Sequence, residues 1–144
     1  MRNIKLTIAY DGGNYLGWQK TSIGLSIEET LQITLEQIFQ HPIVLQAASR
    51  TDAGVHADGQ VVNFFTDKTK LSLDKLTFSL NKLLPKDIAI LSIEEMAETF
   101  HPTLDCKGKE YWYQVCYDLK RAFSRTKISF RCGPIEKQRP QRLF

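Results

Sequence analysis

Apolar and polar residues alternate at the start of the chain with the period of a β-strand. From Ile4 to Tyr10 every second residue is large and apolar or aromatic, and a polar, glycine-containing stretch follows. This pattern is typical of a strand with one buried face. Ser26 and Glu29 have the spacing of a capping box, and apolar residues then recur at helical intervals over 27–40. The pattern therefore predicts a strand, a loop and an amphipathic helix.

The following part of the chain continues this order of elements. The pattern predicts a strand at 43–48, a polar loop at 49–59, a strand at 61–65, a helix at 73–84 that Pro85 ends, and a strand at 88–93. The order β-α-β-β-α-β is that of a ferredoxin-like split unit, which RNA-recognition motifs also resemble. We therefore expect an α+β fold, with an antiparallel sheet and helices on one of its faces. The opposite face would be available for a ligand.

One more strand is predicted at 107–118. Its alternation places Lys109, Tyr111 and Tyr113 on one side and Trp112 on the other. Alternating tyrosines in a strand are usually explained by packing within the core or against a neighbouring strand.

Composition and charge indicate one folded domain and a basic tail. The 144 residues, of which 42% are hydrophobic and 24% charged, can form one hydrophobic core. Beyond residue 118 the pattern decays, apart from a short apolar run near 128–130. We therefore divide the chain into an N-terminal domain, residues 1–118, and a basic C-terminal tail, residues 119–144, which we expect to be irregular or truncated.

The charge is distributed unevenly between these two parts. Residues 120–144 hold eight basic residues and one acidic residue, a net charge of +7, so the preceding part carries −4. A basic end is typical of a segment that binds polyanions. An irregular terminus without a function can have the same composition.

Several classes of protein receive no support. The three cysteines form no Cys-x-x-Cys pair and the three histidines stand alone, so the sequence predicts neither a disulfide framework nor a metal site. The sequence contains no apolar run of about 18 residues that could span a membrane. The N-terminus does not resemble a signal peptide, so we expect a cytoplasmic protein without a membrane partner.

The polar loop at 49–59 holds the strongest candidate for chemistry. Asp52 follows Arg50 by two residues in a glycine-containing loop between two strands. An arginine can keep such an acid ionised while the loop leaves it open to solvent. A carboxylate can add covalently to an electron-poor carbon without a cofactor, so Asp52 is a possible nucleophile. The alternative is structural: Asp52 caps a turn and pairs with Arg50 at the surface.

The string from Ser49 to Val62 is longer and more specific than this pair. It reads Ser-Arg-Thr-Asp-Ala-Gly-Val-His-Ala-Asp-Gly-Gln-Val-Val. It resembles the signature of tRNA pseudouridine synthases of the TruA type, whose pattern begins with glycine where this chain has Ser49. Further motifs that match the family in order are Tyr10-Asp11-Gly12, Gly17-Trp18-Gln19, Ser26-Ile27, Asn81 to Ile88, Phe100-His101 and Tyr111-Trp112-Tyr113.

The resemblance implies an isomerase that acts on tRNA. Members of the family convert uridine to pseudouridine at tRNA positions 38 to 40, in the anticodon stem-loop. They detach uracil from its ribose, rotate it and rejoin it through C5. By this resemblance Asp52 would be the nucleophile, and its attack could fall on C6 of the base or on C1′ of the sugar. The reaction requires neither a cofactor nor a metal.

The resemblance also assigns roles to other residues. Arg50 would act with Asp52, by occupying the space of the extruded base or by holding a phosphate. Tyr111 would pack against the target base, and Lys109 would face the same cleft. Gly54 and His56, on the signature loop, would complete the substrate-binding set, with His56 as a structural hydrogen-bond donor.

Two residues of the first loop are expected to be structural. We assign Asp11 a hydrogen-bonding role at the end of its strand. Trp18 could stack on RNA, but a buried anchor is the more common role of an isolated tryptophan, and we favour it here.

The resemblance covers residues 3 to 118. Members of the family continue into a second half, which closes the cleft and supplies most of the contacts of a homodimer. Without it, an edge strand and an apolar face would be exposed, so the resemblance leaves dimerisation and activity of this chain open. Two alternatives therefore stand beside the enzyme: a non-catalytic RNA-binding module and an inactive truncated remnant.

Overall fold

A computed structural model of the chain describes residues 1–114 and 127–132. The elements in chain order are β1 (Arg2–Tyr10), a short 3-10 helix (Gly12–Asn14), α1 (Ile27–Phe39), β2 (Gln46–Ala47), β3 (His56–Thr66), α2 (Leu73–Leu83), β4 (Ile88–Met96), β5 (Lys109–Gln114) and β6 (Lys127–Cys132). The predicted end of the last strand, beyond residue 114, and most of the basic tail lie outside the described residues.

The strands form one sheet in the order β4-β1-β3-β6-β5, and β2 pairs with β3 as well. The strands β1 to β4 pair antiparallel and carry the two helices, as in a ferredoxin-like half-domain. The α+β prediction is therefore confirmed. Strand β6 adds a parallel pairing with β3 and an antiparallel pairing with β5. It lies inside the segment that we expected to be irregular, around the apolar run predicted near 128–130.

The core lies between the sheet and the two helices. In β1 the predicted alternation is observed, because Ile4, Leu6 and Ile8 are at most 1% exposed. From the other side α1 and α2 contribute buried residues, which are Ile27, Leu31, Leu35, Phe39, Leu76 and Leu80. Each large apolar side chain buried in this way contributes about 1.5–3 kcal/mol. This face therefore fixes the helices on the sheet.

Helix α1 begins and ends close to the predicted residues. The Oγ of Ser26 accepts a hydrogen bond from the backbone N–H of Glu29 at 3.2 Å, as the capping pattern predicts. The helix ends at Phe39, and Gln40 takes a left-handed conformation with φ of 57°. No helix in the described residues has the length and apolarity needed to cross a membrane.

Strand β2 is shorter than predicted because side chains of α1 form hydrogen bonds with the backbone at the start of the predicted strand. The side chain of Gln32 donates to the carbonyl of Ile43 at 2.8 Å. The N–H of Ile43 donates to Oε1 of Glu36 at 3.0 Å. With these groups engaged by a helix, only Gln46–Ala47 pair with β3.

The face opposite the helices is partly closed. The amide of Asn3, which is fully buried, donates to the carbonyls of Ala97 and Phe100, both at 3.0 Å. The Nζ of Lys5 lies 6.0 Å from the centre of the Phe100 ring. The segment that follows β4 therefore covers part of the face that we expected to be available for a ligand.

The side chain of Asn81 connects α2 to β4, which is an edge strand of the described sheet. Its Oδ1 accepts from the N–H of Ile90 at 2.8 Å, and its Nδ2 donates to the carbonyl of Ile90 at 3.2 Å. We predict that Asn81→Ala lowers the free energy of unfolding by about 1–2 kcal/mol, because both partly buried groups lose their partner. Urea denaturation measures this change.

The matched control is Gln37→Ala, on the exposed side of α1. We expect this variant to stay within about 0.5 kcal/mol of the unsubstituted chain. An Asn81→Ala variant as stable as Gln37→Ala would contradict the prediction.

Candidate functional site

The candidate loop alternates buried hydroxyl residues with exposed charged residues. Ser49 and Thr51 are 9% and 7% exposed, whereas Arg50 and Asp52 are exposed to solvent. The Oγ1 of Thr51 lies 2.7 Å from the hydroxyl of Tyr10, at the end of β1. Burial raises the pKa of Tyr10, which keeps this hydroxyl protonated. The two buried residues anchor the loop, so the two charged residues are held at the surface.

A second hydroxyl pair anchors the loop on the side of β5. The Oγ of Ser49 lies 2.9 Å from the hydroxyl of Tyr111. Sequence analysis found neither pair, although the alternation of small hydroxyl residues with charges is visible in the loop. The partners could not be read from the sequence, because Tyr10 and Tyr111 lie far from the loop along the chain.

Two glycines of the first loop allow the backbone of the candidate loop to approach closely. Gly17 has a φ of +92°, and a Cβ at this position would lie 2.5 Å from the carbonyl oxygen of Thr51. A Cβ at Gly12 would lie 1.9 Å from the carbonyl oxygen of Val55. The same Thr51 carbonyl accepts from the N–H of Trp18 at 3.0 Å. The two loops therefore pack backbone against backbone, which only residues without a Cβ permit.

Asp52 is accessible and does not pair with Arg50. Its carbonyl, not its carboxylate, closes the turn, by accepting from the N–H of Val55 at 3.1 Å. Gly54 in this turn has a φ of +79°. Among the ion pairs of the described residues none joins Arg50 to Asp52. The surface ion pair that the structural alternative for Asp52 requires is therefore not observed.

His56 accepts a hydrogen bond where we expected it to donate. Its Nδ1 accepts from the N–H of Gly12 at 3.1 Å. The carboxylate of Asp11 lies at the same distance, 3.1 Å, from this nitrogen. Asp11 also accepts from the N–H of Gly13 at 2.9 Å, which confirms its structural role at the end of β1.

Trp18 is a buried anchor, as we favoured. It is 3% exposed, and its ring lies 6.5 Å from that of Tyr10 at an angle of 30°. It therefore supports the tyrosine that holds Thr51.

Tyr111 lies next to the candidate loop with half of its surface exposed. Its ring packs on buried Phe130, with 5.2 Å between the ring centres, and 50% of the residue is open to solvent. Lys109 is exposed two positions away on the same side of β5, as predicted. Among the described residues, Lys109 forms no hydrogen bond or ion pair with the candidate loop, so the structure joins Tyr111, but not Lys109, to this loop.

The site occupies the helix-bearing side of the sheet. Pairing places Tyr10 opposite Ala57, Ala57 opposite Phe130, and Phe130 opposite Tyr111. Paired residues share a face, so Tyr111 faces the same side as the core. We expected the other face to be available for a ligand, whereas Tyr10 and Tyr111, which hold the candidate loop, lie on this face.

A cleft beside Arg50 adds space for a ligand. It has a volume of about 460 Å³, and Arg50, Gln19, Gln46, His101 and Thr103 contribute to its lining. Its volume falls within the range of about 300–1,000 Å³ that is usual for ligand pockets. No group of three metal-binding side chains is present in the described part of the chain.

Tyr15 links the first loop to the turn before β4. Its hydroxyl donates to Oδ1 of Asp87 at 2.6 Å, and its carbonyl accepts from the N–H of Gly54 at 3.3 Å. Burial raises the pKa of Tyr15, and the hydrogen bond to Asp87 and the charge of its carboxylate raise it further. Sequence analysis did not single out this residue.

Comparisons with known proteins identify relatives of this chain. Residues 6–104 match the sequence profile of a family described as tRNA pseudouridine synthase. The chain is 59% identical over 132 residues to "tRNA pseudouridine synthase A 2" of Protochlamydia amoebophila, a match that covers 92% of the chain and 50% of that protein. It is 49% identical over 118 residues to "tRNA pseudouridine synthase A" of Thermodesulfovibrio yellowstonii, which covers 82% of the chain and 46% of that protein.

The chain spans about half the length of the curated relatives that it matches. The 132-residue match to the Protochlamydia protein is longer than the 118 residues of the predicted domain, so it includes part of the tail. Our expectation that the resemblance ends at residue 118 is wrong for this relative.

The close approach at Gly17 generates a prediction for stability. Gly17→Ala would combine a strained positive φ with a contact of 2.5 Å to the Thr51 carbonyl. We expect a loss of about 2 kcal/mol or more in the free energy of unfolding, measured by urea denaturation. The control is Gly13→Ala, whose Cβ would meet only the flexible carboxylate of Asp11, at 3.1 Å. Equal losses in the two variants would refute this account of Gly17.

The raised pKa of Tyr15 generates a prediction for alkaline pH. Because the folded state holds the proton more tightly than the unfolded state, the contribution is complete below the ordinary pKa of 10.0 and is lost as the pH rises above it. Urea denaturation between pH 8 and 11 should therefore show a shallower alkaline loss of stability for Tyr15→Phe than for the unsubstituted chain. The control is Tyr113→Phe, at a residue 68% exposed. If Tyr15→Phe left the slope unchanged, the assignment would be wrong.

Proposed function

The chain belongs to the tRNA pseudouridine synthase family, and on this basis we propose that it isomerises uridine to pseudouridine in the anticodon stem-loop of tRNA, with Asp52 as the nucleophile. The observation that carries the proposal is the exposed carboxylate of Asp52 on a loop anchored through Ser49 and Thr51. A nucleophile has to reach the substrate and yet keep a fixed position, and this loop combines both properties.

The reaction requires a carboxylate and a uridine that has left its stack. Attack on C1′ would release the N-glycosidic bond and form an ester between Asp52 and the ribose. Attack on C6 would add the carboxylate to the unsaturated ring, and elimination would later free it. In both routes the bond between N1 and C1′ breaks, and uracil rotates and rejoins the ribose through C5. The hydrogen on C5 leaves as a proton, and N1 takes up a proton from water. Atoms therefore balance without any external reactant.

The exposure of Arg50 beside the cleft supports a role in extrusion of the base. Arg50 is exposed beside the cleft of about 460 Å³, and among the described residues it is bound in no ion pair. Extrusion of a base from a stem costs a few kcal/mol. A planar guanidinium that is not already paired can offset part of this cost by stacking in the vacated space or by binding a phosphate.

The packing and exposure of Tyr111 support a role in receiving the base. Its ring is backed by Phe130 and half open to solvent, so one part of its surface is available for stacking. Contact of a base with an aromatic side chain is worth about 1–3 kcal/mol. We include Lys109 in the proposal as a cation on the same side of β5, and Gly54 and His56 as residues that shape the loop.

Two further parts of the proposal rest on the family alone. They are the tRNA positions 38 to 40 and a homodimer for proteins of the full family length. A cytoplasmic location remains part of the proposal.

The test is release of tritium from tRNA labelled at C5 of uridine. We expect the purified chain to release tritium and Asp52→Asn to reduce the rate at least about 10³-fold, because removal of a nucleophile abolishes the covalent route. Asn has nearly the same shape as Asp, so the variant should remain folded. Asp58→Asn, an exposed carboxylate in the same signature string, is the control and should retain activity.

Each other result has a distinct meaning. Full activity of Asp52→Asn would contradict the nucleophile. Binding of tRNA without release of tritium would favour a non-catalytic RNA-binding module. Neither binding nor release by a chain that is folded by circular dichroism would favour an inactive remnant.

A further inference from the structure

Ser49 connects the candidate loop to the interior and to Tyr111 at the same time. Its carbonyl accepts from Nε2 of Gln60 at 2.6 Å, and Gln60 is fully buried in β3. Its Oγ lies 2.9 Å from the hydroxyl of Tyr111. Because the main chain of Ser49 is fixed by a buried amide, its hydroxyl has a defined position from which it can hold another group.

The ring of Tyr111 is constrained at two places. It packs on buried Phe130, and its hydroxyl is bound by Ser49. Half of the residue is exposed. Packing of the ring on Phe130 does not by itself set a unique rotation about the side-chain bonds, and the hydrogen bond to Ser49 adds a directional contact.

The same hydrogen bond relates the ring to the nucleophile. Ser49 precedes Asp52 by three residues, and Thr51 between them is fixed to Tyr10 at 2.7 Å. The short backbone segment that carries the carboxylate is therefore bound on one side to β1 and on the other to the tyrosine of β5. A base resting on Tyr111 would be held at a set distance from Asp52 only while this segment and the ring remain joined.

We propose that Ser49 is a positioning residue, which fixes the Tyr111 ring relative to Asp52 so that an extruded uracil is presented to the carboxylate. This role rests on the proposed function. It requires that Ser49 affect the chemical step more than the binding of tRNA, because phosphate contacts dominate the affinity for a polyanion.

The structural arm of the test follows the ring directly. Tyrosine rings are labelled with ¹³C at their ε carbons, and the signal of Tyr111 is identified by its loss in Tyr111→Phe. We expect Ser49→Ala to shift or broaden this signal, whereas the control Ser92→Ala, at an exposed residue of β4, leaves it unchanged. This arm does not depend on activity, and a Tyr111 signal that is unmoved in Ser49→Ala overturns the inference.

The kinetic arm measures kcat and KM by tritium release. We expect Ser49→Ala to lower kcat about three- to tenfold, the usual effect of one neutral hydrogen bond, with KM within about twofold. In a Tyr111→Phe background, Ser49→Ala should change kcat by less than about twofold, because the two substitutions remove the same bond. Circular dichroism and urea denaturation verify that each variant is folded.

Two kinetic outcomes would overturn the role of Ser49. They are an unchanged kcat in Ser49→Ala, and an effect of Ser49→Ala that is equally large in the Tyr111→Phe background. If the unsubstituted chain releases no tritium, the proposed function fails, and a positioning role in that reaction fails with it. The two failures are distinguishable. The unsubstituted chain is active when only the role of Ser49 fails, and it is inactive when the proposed function fails.

Discussion

The hydrogen bond between Thr51 and Tyr10 is the interaction on which the candidate site depends most. It ties the loop to the end of β1, a strand flanked by β3 and β4 in the described sheet. A buried hydroxyl without a partner would cost about 1–3 kcal/mol, so the pair strongly favours one position of the loop. Because Thr51 lies between Arg50 and Asp52, fixing it inward leaves both charged neighbours facing outward. The carboxylate of Asp52 is thus accessible because the neighbouring Thr51 is buried.

The first loop makes this arrangement possible. Gly12 and Gly17 have no side chains that would separate this loop from the candidate loop. The N–H of Trp18 therefore donates a hydrogen bond to the carbonyl of Thr51. Trp18 in turn packs on Tyr10, the residue that holds Thr51. The resulting network consists mostly of backbone contacts and neutral hydroxyls. The site can therefore hold its geometry without an ion pair at the carboxylate. The guanidinium of Arg50 then remains available to bind a substrate.

Sequence reasoning identified most of the fold and the segment that carries the chemistry. Period-two and helical patterns predicted β1, α1, α2 and β4 well, because each buries one face against the same core. The prediction for β2 was too long, since Gln32 and Glu36 of α1 occupy the backbone of Ile43 and no local pattern reveals such a contact. The surface ion pair between Arg50 and Asp52, which the structural alternative requires, is not formed, because both residues are exposed without their charged groups coming together.

By itself, the sequence determined the class of fold, the family and the loop that holds Asp52, because these depend on local periodicity and on an uninterrupted string of residues. Tertiary structure alone decided which face of the sheet carries the site, that Nδ1 of His56 accepts a hydrogen bond, and that two tyrosines hold the loop through Ser49 and Thr51. The reason is physical. A hydrogen bond between residues about 40 or 60 positions apart depends on how strands pair and turn, and no property of either residue alone encodes its partner.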